Sequence, residues 1–111
     1  MDKAMEIVQQ ESEELQEEPD RYELQLYVAG KTAKSMLAFS NLKRLCEEYL
    51  ASKCRIETID LLKHPQLAKE KQILAIPTVI RKFPLPERKI IGDISNTERV
   101  LTGLDLLPLK E

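Results

Sequence analysis

The segment YELQLYV, from Tyr22 to Val28, decides the fold class of this 111-residue chain. Successive side chains of a strand point to opposite faces, so one face would carry Tyr22, Leu24, Leu26 and Val28. The other face would carry Glu23, Gln25 and Tyr27. This strict alternation predicts a half-buried β-strand, which ends at the following Ala29 and Gly30.

Apolar residues recur at helical spacing directly after this strand. A helix is predicted to begin at Lys31 or Thr32 and to end near Ser52. Its apolar stripe contains Ala38, Leu42, Leu45 and Tyr49, broadened by Phe39, Cys46 and Leu50. Residues 55–60 are rich in β-branched side chains and predict a second strand.

Prolines mark the boundaries in the next part of the chain. Pro65 suits the first turn of a helix, and residues 66–72 are good helix formers. Residues 73–83 are apolar and β-branched and predict a strand. Pro77 cannot donate a hydrogen bond to a sheet, so it is expected at a strand start, an edge or a bulge.

The C-terminal part predicts a strand and a helix after a proline turn. Pro84 and Pro86 form a stiff turn before a strand at residues 88–92. Ser95 and Glu98 have the spacing of a capping box that opens the last helix. That helix carries Leu101, Leu104 and Leu107 and is stopped by Pro108.

The element order βαβαββα predicts an α/β fold with the thioredoxin-like arrangement. The helices provide the crossovers that parallel strands need, and the proline turn lets the last two strands pair antiparallel. Residues 61–93 mix short helical and extended signals, so local propensity does not select one structure there.

Composition indicates one packed cytoplasmic domain. The chain is 42% hydrophobic and 32% charged, its longest apolar runs are too short to span a bilayer, and the first twenty residues lack the apolar region of a secretory signal. With only two cysteines and no such signal, we expect a reducing compartment. The acidic pI of about 5.6 and the absence of a basic cluster interleaved with aromatics argue against nucleic acid as a partner.

Charge is distributed unevenly along the chain. Residues 1–19 hold seven acidic side chains and one lysine, whereas the remaining residues hold sixteen Lys and Arg against twelve Asp and Glu. We interpret residues 1–20 as an acidic, flexible extension and residues 21–109 as the folded domain. The extension either is simply solvated or screens a basic binding face of its own domain.

Catalytic chemistry is not evident in the sequence. A thioredoxin-type enzyme needs a cysteine pair at the start of its first helix, where this chain has Lys31-Thr32-Ala33-Lys34. Cys46 and Cys54 are eight residues apart, which fits neither a CxxC pair nor a zinc site. The single imidazole, His64, favours a surface or N-cap role. We therefore predict no catalytic residues, no bound metal and no cofactor.

Four segments resemble the KaiB family of circadian-clock proteins. They are LYVAGKT from Leu26, IDLLKHPQLA from Ile59, ILAIPTVI from Ile73 and RKIIGDISNTERVLTGLDLL from Arg88. The resemblance covers Tyr22 to Leu107 in unbroken order, and its last segment is long and specific.

This resemblance implies a non-catalytic binding protein. KaiB-type proteins bind the N-terminal ATPase ring of KaiC and help to set its phosphorylation cycle, displacing the kinase SasA and capturing KaiA. The family also has two folds, a tetramer of topology βαββααβ and a thioredoxin-like monomer that binds KaiC. Such a slow switch fits the mixed signals in residues 61–93 and implies a homo-oligomer as the other state.

The resemblance also implies roles for particular residues. Gly103 and Asp105 match positions that bias the fold switch, the alternatives being a helix-terminal glycine and a solvated carboxylate. The basic residues Lys63, Arg81, Arg88 and Lys89 match positions used for the ring partner, the alternative being ordinary solvated charges.

Three prolines fall in the segment that switches fold in the family, namely Pro77, Pro84 and Pro86. Isomerisation of X–Pro bonds is slow, so these prolines can contribute to slow exchange, or they can be plain turn residues.

The chain departs from the clock pattern in its charges. The acidic stretch lies at the N-terminus, and the chain ends in Leu109-Lys110-Glu111 rather than in an acidic tail. Glu57 and Gln72 stand where clock versions commonly have basic residues, which argues against KaiA capture. A docking or stress-response module is the main alternative function, and a thiol–disulfide enzyme is disfavoured because CxxC is absent.

Overall fold

The strand predicted from YELQLYV lies inside a four-stranded sheet. The computed structural model describes residues 22–92 and 94–106. Strand β1 (Tyr22–Val28) pairs in parallel with β2 (Cys54–Asp60) and antiparallel with β3 (Thr78–Phe83), which pairs antiparallel with β4 (Arg88–Ile91). The strand order is therefore β2-β1-β3-β4. The predicted extension (residues 1–20), Asp93 and the predicted end of the domain (residues 107–109) lie outside the described residues.

Three helices complete the predicted order βαβαββα. Helix α1 (Ala33–Tyr49) connects β1 to β2, the short α2 (Gln66–Glu70) follows β2, and α3 (Thr97–Gly103) follows β4. The helical crossover through α1 allows β1 and β2 to run in parallel. None of the described helices is long and apolar enough to cross a membrane.

The sheet has a large apolar cluster on one face and a small one on the other. Leu24, Leu26 and Val28 of β1 belong to the large cluster, which includes the buried sides of α1 and α3. Among the described residues, the buried apolar side chains of the opposite face are Tyr27, Ile59 and Ile80, with Leu61, Leu67 and Ile73 packed against them. Both faces of β1 are therefore buried, whereas α2 covers the second face only in part.

Helix α1 begins at the predicted position. Thr32 is its N-cap, and the Oγ1 of Thr32 accepts a hydrogen bond from the amide of Ser35 at 3.1 Å. The predicted apolar stripe was wrong at two positions, because Phe39 and Tyr49 are exposed rather than buried. Asn41, which the pattern did not predict, is buried instead.

The strand predicted at residues 73–83 begins only at Thr78. Gln72 has a left-handed backbone with φ of 55°, and the amide of Ile73 bonds back to the carbonyl of Ala68 at 2.8 Å. This Schellman turn ends α2 and sends residues 73–77 into a loop. The Thr78 hydroxyl donates to the carbonyl of Ala75 at 2.6 Å. Pro77 thus immediately precedes the strand, and the Ile76–Pro77, Phe83–Pro84 and Leu85–Pro86 bonds are cis.

Helix α3 starts one residue later than the predicted capping box. Asn96, not Ser95, is the N-cap, and the Oδ1 of Asn96 accepts from the Arg99 amide at 3.1 Å. Serine and asparagine are both good N-cap residues, so the sequence alone does not decide between Ser95 and Asn96.

A second Schellman turn ends α3 and contains the predicted switch residues. The amides of Asp105 and Leu106 bond to the carbonyls of Thr102 and Leu101 at 3.1 and 2.8 Å. Asp105 occupies the left-handed position with φ of 53°, whereas Gly103 lies within the helix. Gly103 is thus the last residue of the helix, and the exposed Asp105 provides the left-handed position that follows it.

Arg81 joins this turn to the β3–β4 hairpin from inside the protein. Its side chain is only 3% exposed, and its two Nη atoms donate to the carbonyls of Asp105 (3.0 Å) and Pro86 (2.8 Å). The Nε has no hydrogen-bond partner among the described residues. Because Arg81 is buried, it is not available as an exposed contact for a ring partner in this form, and we assign it an internal tethering role.

We predict that Arg81→Met destabilises the described form. Methionine has a similar length but no hydrogen-bond donor, so the carbonyls of Asp105 and Pro86 lose their charge-assisted hydrogen bonds. We expect the free energy of unfolding to fall by about 1–3 kcal/mol. Urea unfolding followed by circular dichroism measures this loss. Arg88→Met, on the exposed neighbouring strand, is the matched control and should stay within about 0.5 kcal/mol of the parent. Equal losses in both variants would contradict a tethering role.

Candidate functional site

The sheet face beside α2 carries two shallow grooves. One has a volume of about 410 Å³ and is lined by Lys63, His64 and Lys71, among others. The second has a volume of about 340 Å³ and is lined by Lys71, Arg88 and Lys89, among others. Lys71 lines both, so the grooves are neighbours. We call this surface the α2 face and define it by the basic residues Lys63, Lys71, Lys82, Arg88 and Lys89.

The tertiary structure thus brings together three of the four basic residues that the resemblance singled out. Lys63 lies in the loop before α2, while Arg88 and Lys89 lie on β4, and all three are exposed. The fourth, Arg81, is buried. Lys71 and Lys82 were not predicted, because charged side chains give no periodic signal that would separate them from other surface lysines.

Lys89 also has a structural role within the α2 face. Its ammonium group donates to the carbonyls of Lys71 and Gln72, both at 2.9 Å. These carbonyls belong to the C-cap residue of α2 and the residue after it, so no helical amide is available to bond to them. Lys89 therefore links β4 to the end of α2.

Asp60 shapes the loop that presents Lys63. Its Oδ1 accepts hydrogen bonds from the backbone amides of Gly30 at 2.8 Å and Leu62 at 2.9 Å. These two amides lower the pKa of the Asp60 carboxyl, with a smaller lowering from Lys63 and His64. Gly30 has φ of 74°, a conformation that favours glycine. The ends of β1 and β2 are thus tied together beside Lys63.

A polar chain runs along the floor of the larger groove. The fully buried Tyr27 donates its hydroxyl to the Oε1 of Gln25 at 2.7 Å, and the Nε2 of Gln25 donates to the Oε1 of Glu57 at 3.1 Å. Burial raises the pKa of the Tyr27 phenol, and the charges of Glu57 and Glu87 raise it further. The phenol therefore stays protonated at neutral pH and acts as a hydrogen-bond donor.

The two cysteines are neighbours in space, which their spacing did not predict. Cys46 is buried on α1, as expected of a core thiol, and Cys54 is half-buried at the start of β2. A hydrogen bond with Cys46, together with burial, raises the pKa of the Cys54 thiol. A protonated thiol is a poor nucleophile, so Cys54 is not an activated thiolate in this structure. Within residues 22–92 and 94–106, no cluster of three His, Cys, Asp or Glu side chains is placed to hold a metal.

Sequence comparison identifies the relatives of this chain. A family model described as the KaiB domain matches residues 25–106. The circadian clock protein KaiB3 of Synechocystis sp. is 45% identical over 89 residues, which cover 80% of this chain and 87% of that protein. The circadian clock oscillator protein KaiB of Synechococcus elongatus is 51% identical over 86 residues, which cover 78% and 84% of the two chains.

Comparison of structures assigns the fold. The N-terminal domain of Synechococcus elongatus SasA superposes with a TM-score of 0.63 at 18% identity, covering 74% of this chain and 77% of that one. Mitochondrial thioredoxin 3 from Saccharomyces cerevisiae superposes with a TM-score of 0.61 at 20% identity, covering 83% and 84%. The fold is therefore thioredoxin-like, as the element order predicted.

We predict that Asp60 makes the stability of the domain depend on pH. The folded-state pKa lies below the ordinary value of 3.8, so the ionised carboxylate stabilises the fold above pH 3.8. This stabilisation is lost as the pH falls below 3.8 and through the lower folded-state pKa. The measurement is the difference in melting temperature between the parent and Asp60→Asn across pH 2 to 7, and this difference should shrink toward the acid end.

Asp60→Ala serves as the companion variant. Asparagine keeps an oxygen that can accept both amide bonds, whereas alanine leaves the amides of Gly30 and Leu62 without their acceptor, so alanine should melt lower than asparagine at neutral pH. A pH-independent difference between the parent and Asp60→Asn would show that the charge of Asp60 does not stabilise the fold.

Proposed function

This chain belongs to the KaiB family, and on that premise we propose that it is a non-catalytic regulator that binds the ATPase ring of a KaiC-type protein and modulates the phosphorylation cycle of that protein. The observation that carries the proposal is the α2 face, where Lys63, Arg88 and Lys89 lie on one exposed surface although they are far apart in the sequence. The two grooves are lined by these and two further lysines, and also by four acidic residues, namely Glu57, Asp60, Glu70 and Glu87. A face of mixed charge selects a partner whose charges are arranged in the complementary pattern.

Binding rather than catalysis is supported by the first helix. In thioredoxin-type enzymes the reactive thiolate lies at the start of this helix, where the helix dipole stabilises it. Here the N-cap is Thr32, and the cysteine that is closest along the chain, Cys46, is buried more than three turns further on. The likeness to SasA supports competition with a SasA-type kinase for the same ring.

Capture of a KaiA-type protein is not part of the proposal. Glu57 lies on β2, which is an edge strand, and its carboxylate is held by Gln25. The resemblance implies a basic residue at this position in clock proteins, whereas Glu57 is negatively charged. A KaiA-type partner that pairs with the basic residue would meet the opposite charge here.

The proposal includes a second, oligomeric fold of topology βαββααβ. Support comes from non-glycine residues with a left-handed backbone. Gln72 and Asp105 end helices of the C-terminal half, and Ala51 and Ser52 follow α1 in the first half. A non-glycine residue in a left-handed conformation costs roughly 1 kcal/mol relative to glycine. The described form is therefore less stable than it would be with glycine at these positions. A small difference in free energy between two packings is what a fold switch requires.

We predict slow capture of a KaiC-type ATPase by the immobilised full chain. With ATP present, the captured amount should rise over hours rather than seconds, because only the minor, binding-competent form engages the ring. Arg88→Glu should lower the captured amount about tenfold, which corresponds to one unfavourable charge contact. Purified ATPases and quantitative gel analysis from minutes to a day provide the measurement.

Arg44→Glu is the matched control for this experiment. It makes the same change of charge on α1, on the opposite side of the sheet, and should leave capture within about twofold of the parent. An equal loss in both variants would exclude the α2 face, and no capture at any time would contradict the proposed function and favour an unrelated docking partner.

We predict that Gly103→Ala combined with Asp105→Arg shifts the chain toward the thioredoxin-like monomer and speeds capture. Alanine is more favourable than glycine in a helix by up to about 1 kcal/mol. An added Cβ at residue 103 would lie 2.8 Å from the Cδ1 of Ile90, the mobile end of that side chain. Nothing in the described form explains a gain from arginine at residue 105.

Light scattering measures the monomer fraction of this variant. Asp105→Gly is the companion variant, because glycine has the lowest cost at a left-handed helix end and should also favour the described form. An unchanged oligomer in both variants would argue against control of the switch by this turn.

A further inference from the structure

A separate groove lies between α1 and β2, on the opposite side of the sheet from the α2 face. Its volume is about 510 Å³, and its apolar lining comes mainly from Val28, Met36 and Phe39. Met36 and Phe39 are 64% and 39% exposed although they lie on a helix whose other side forms the core. A concave surface of this volume with a mostly apolar lining has the usual form of a binding site.

Lysines lie along the rim of this groove. Lys31 and Lys63 belong to its lining, and Lys43 follows Phe39 by four residues, which places it one turn further along the same side of α1. The one carboxylate among the lining residues, Asp60, is turned toward two backbone amides. The groove therefore suits an occupant that combines apolar side chains with several negative charges.

Residues 1–20 of this chain have that chemistry. The apolar residues Met5, Ile7 and Val8 are followed by a run of acidic side chains, which includes Glu11, Glu13, Glu14, Glu17 and Glu18. We propose that this segment docks intramolecularly in the α1–β2 groove, with its apolar side chains on Met36 and Phe39 and its carboxylates on the rim lysines.

The segment is long enough to reach the groove. It joins the domain at Tyr22, whereas the groove lies beside Val28, at the other end of β1. Seven strand residues span about 20 Å, and six extended residues cover about the same distance. Residues 16–21 can therefore bridge the length of β1 and leave residues 1–15 to occupy the groove.

Docking of this segment would affect the proposed function through Lys63. This lysine lines both the α1–β2 groove and the larger groove of the α2 face. A segment that holds Lys63 competes with a ring partner that needs the same side chain. This competition rests on the proposed function, whereas the docking itself does not.

Zero-length cross-linking with a carbodiimide tests the docking in the full chain. The reagent joins a carboxylate to an amine that it touches, and mass spectrometry locates each link. We expect links within one molecule from the segment's glutamates to Lys31, Lys43 and Lys63, at several times the yield of links to Lys69 or Lys82. One molar salt should lower the yield severalfold, because it screens exposed charges within a few ångströms.

Phe39→Ser and Leu74→Ser form a matched pair for the apolar contact. Both replace an exposed apolar residue, but Leu74 is 88% exposed and does not line the groove. Phe39→Ser should reduce the links about fivefold, and Leu74→Ser should leave them unchanged. Equal yields in the two variants, or links spread over all lysines, would overturn the docking. Links between ¹⁴N- and ¹⁵N-labelled copies would show that a second molecule occupies the groove instead.

A second experiment tests whether docking of the segment competes with binding of the ring partner. Replacement of Glu6, Glu11, Glu13 and Glu14 by Gln removes four of the charges that hold the segment and should speed capture of the KaiC-type ATPase severalfold. Unchanged capture in this variant, with links present in the parent, would overturn the competition while leaving the docking intact. Links in the parent with no ATPase capture at all would count against the proposed function alone.

Discussion

The rest of the structure depends on the pairing of β1 on both of its edges. Its parallel partner β2 requires the α1 crossover, and its antiparallel partner β3 carries the hairpin to β4. Because Leu24, Leu26 and Val28 face one apolar cluster and Tyr27 faces the other, each layer of the domain packs against this one strand. The grooves on both sides of the sheet are bounded by elements that β1 holds in place.

The two halves of the domain share the large apolar cluster. The first half contributes β1 and the buried side of α1, and the second half contributes Val79, Ile90 and the buried side of α3. The second half also contains side chains that bond to backbone carbonyls, namely Arg81 to Asp105 and Pro86, and Lys89 to the end of α2. These bonds join β3 and β4 to the ends of the two short helices, so the positions of α2 and α3 depend on the hairpin.

Most of the elements could be predicted from the sequence because local periodicity determines them. The alternation from Tyr22 identified β1, and the helical spacing after Lys31 identified α1 with its correct start. The errors occurred where two local signals compete. Residues 73–77 have strand propensity but follow a Schellman turn, and Ser95 and Asn96 are both good caps, so only the backbone geometry distinguishes them. Phe39 has the spacing of a core residue, yet it faces a groove that no described element fills.

The sequence by itself determined the element order, the absence of a CxxC motif and the family resemblance, because each depends on residues close together in the chain. Tertiary structure alone decided which predicted residues share a surface. It placed Lys63 beside a groove that continues to Arg88, buried Arg81, and brought Cys54 against Cys46. The physical reason is that burial and proximity depend on the order of strands in the sheet, which makes neighbours of residues that local pattern treats as unrelated.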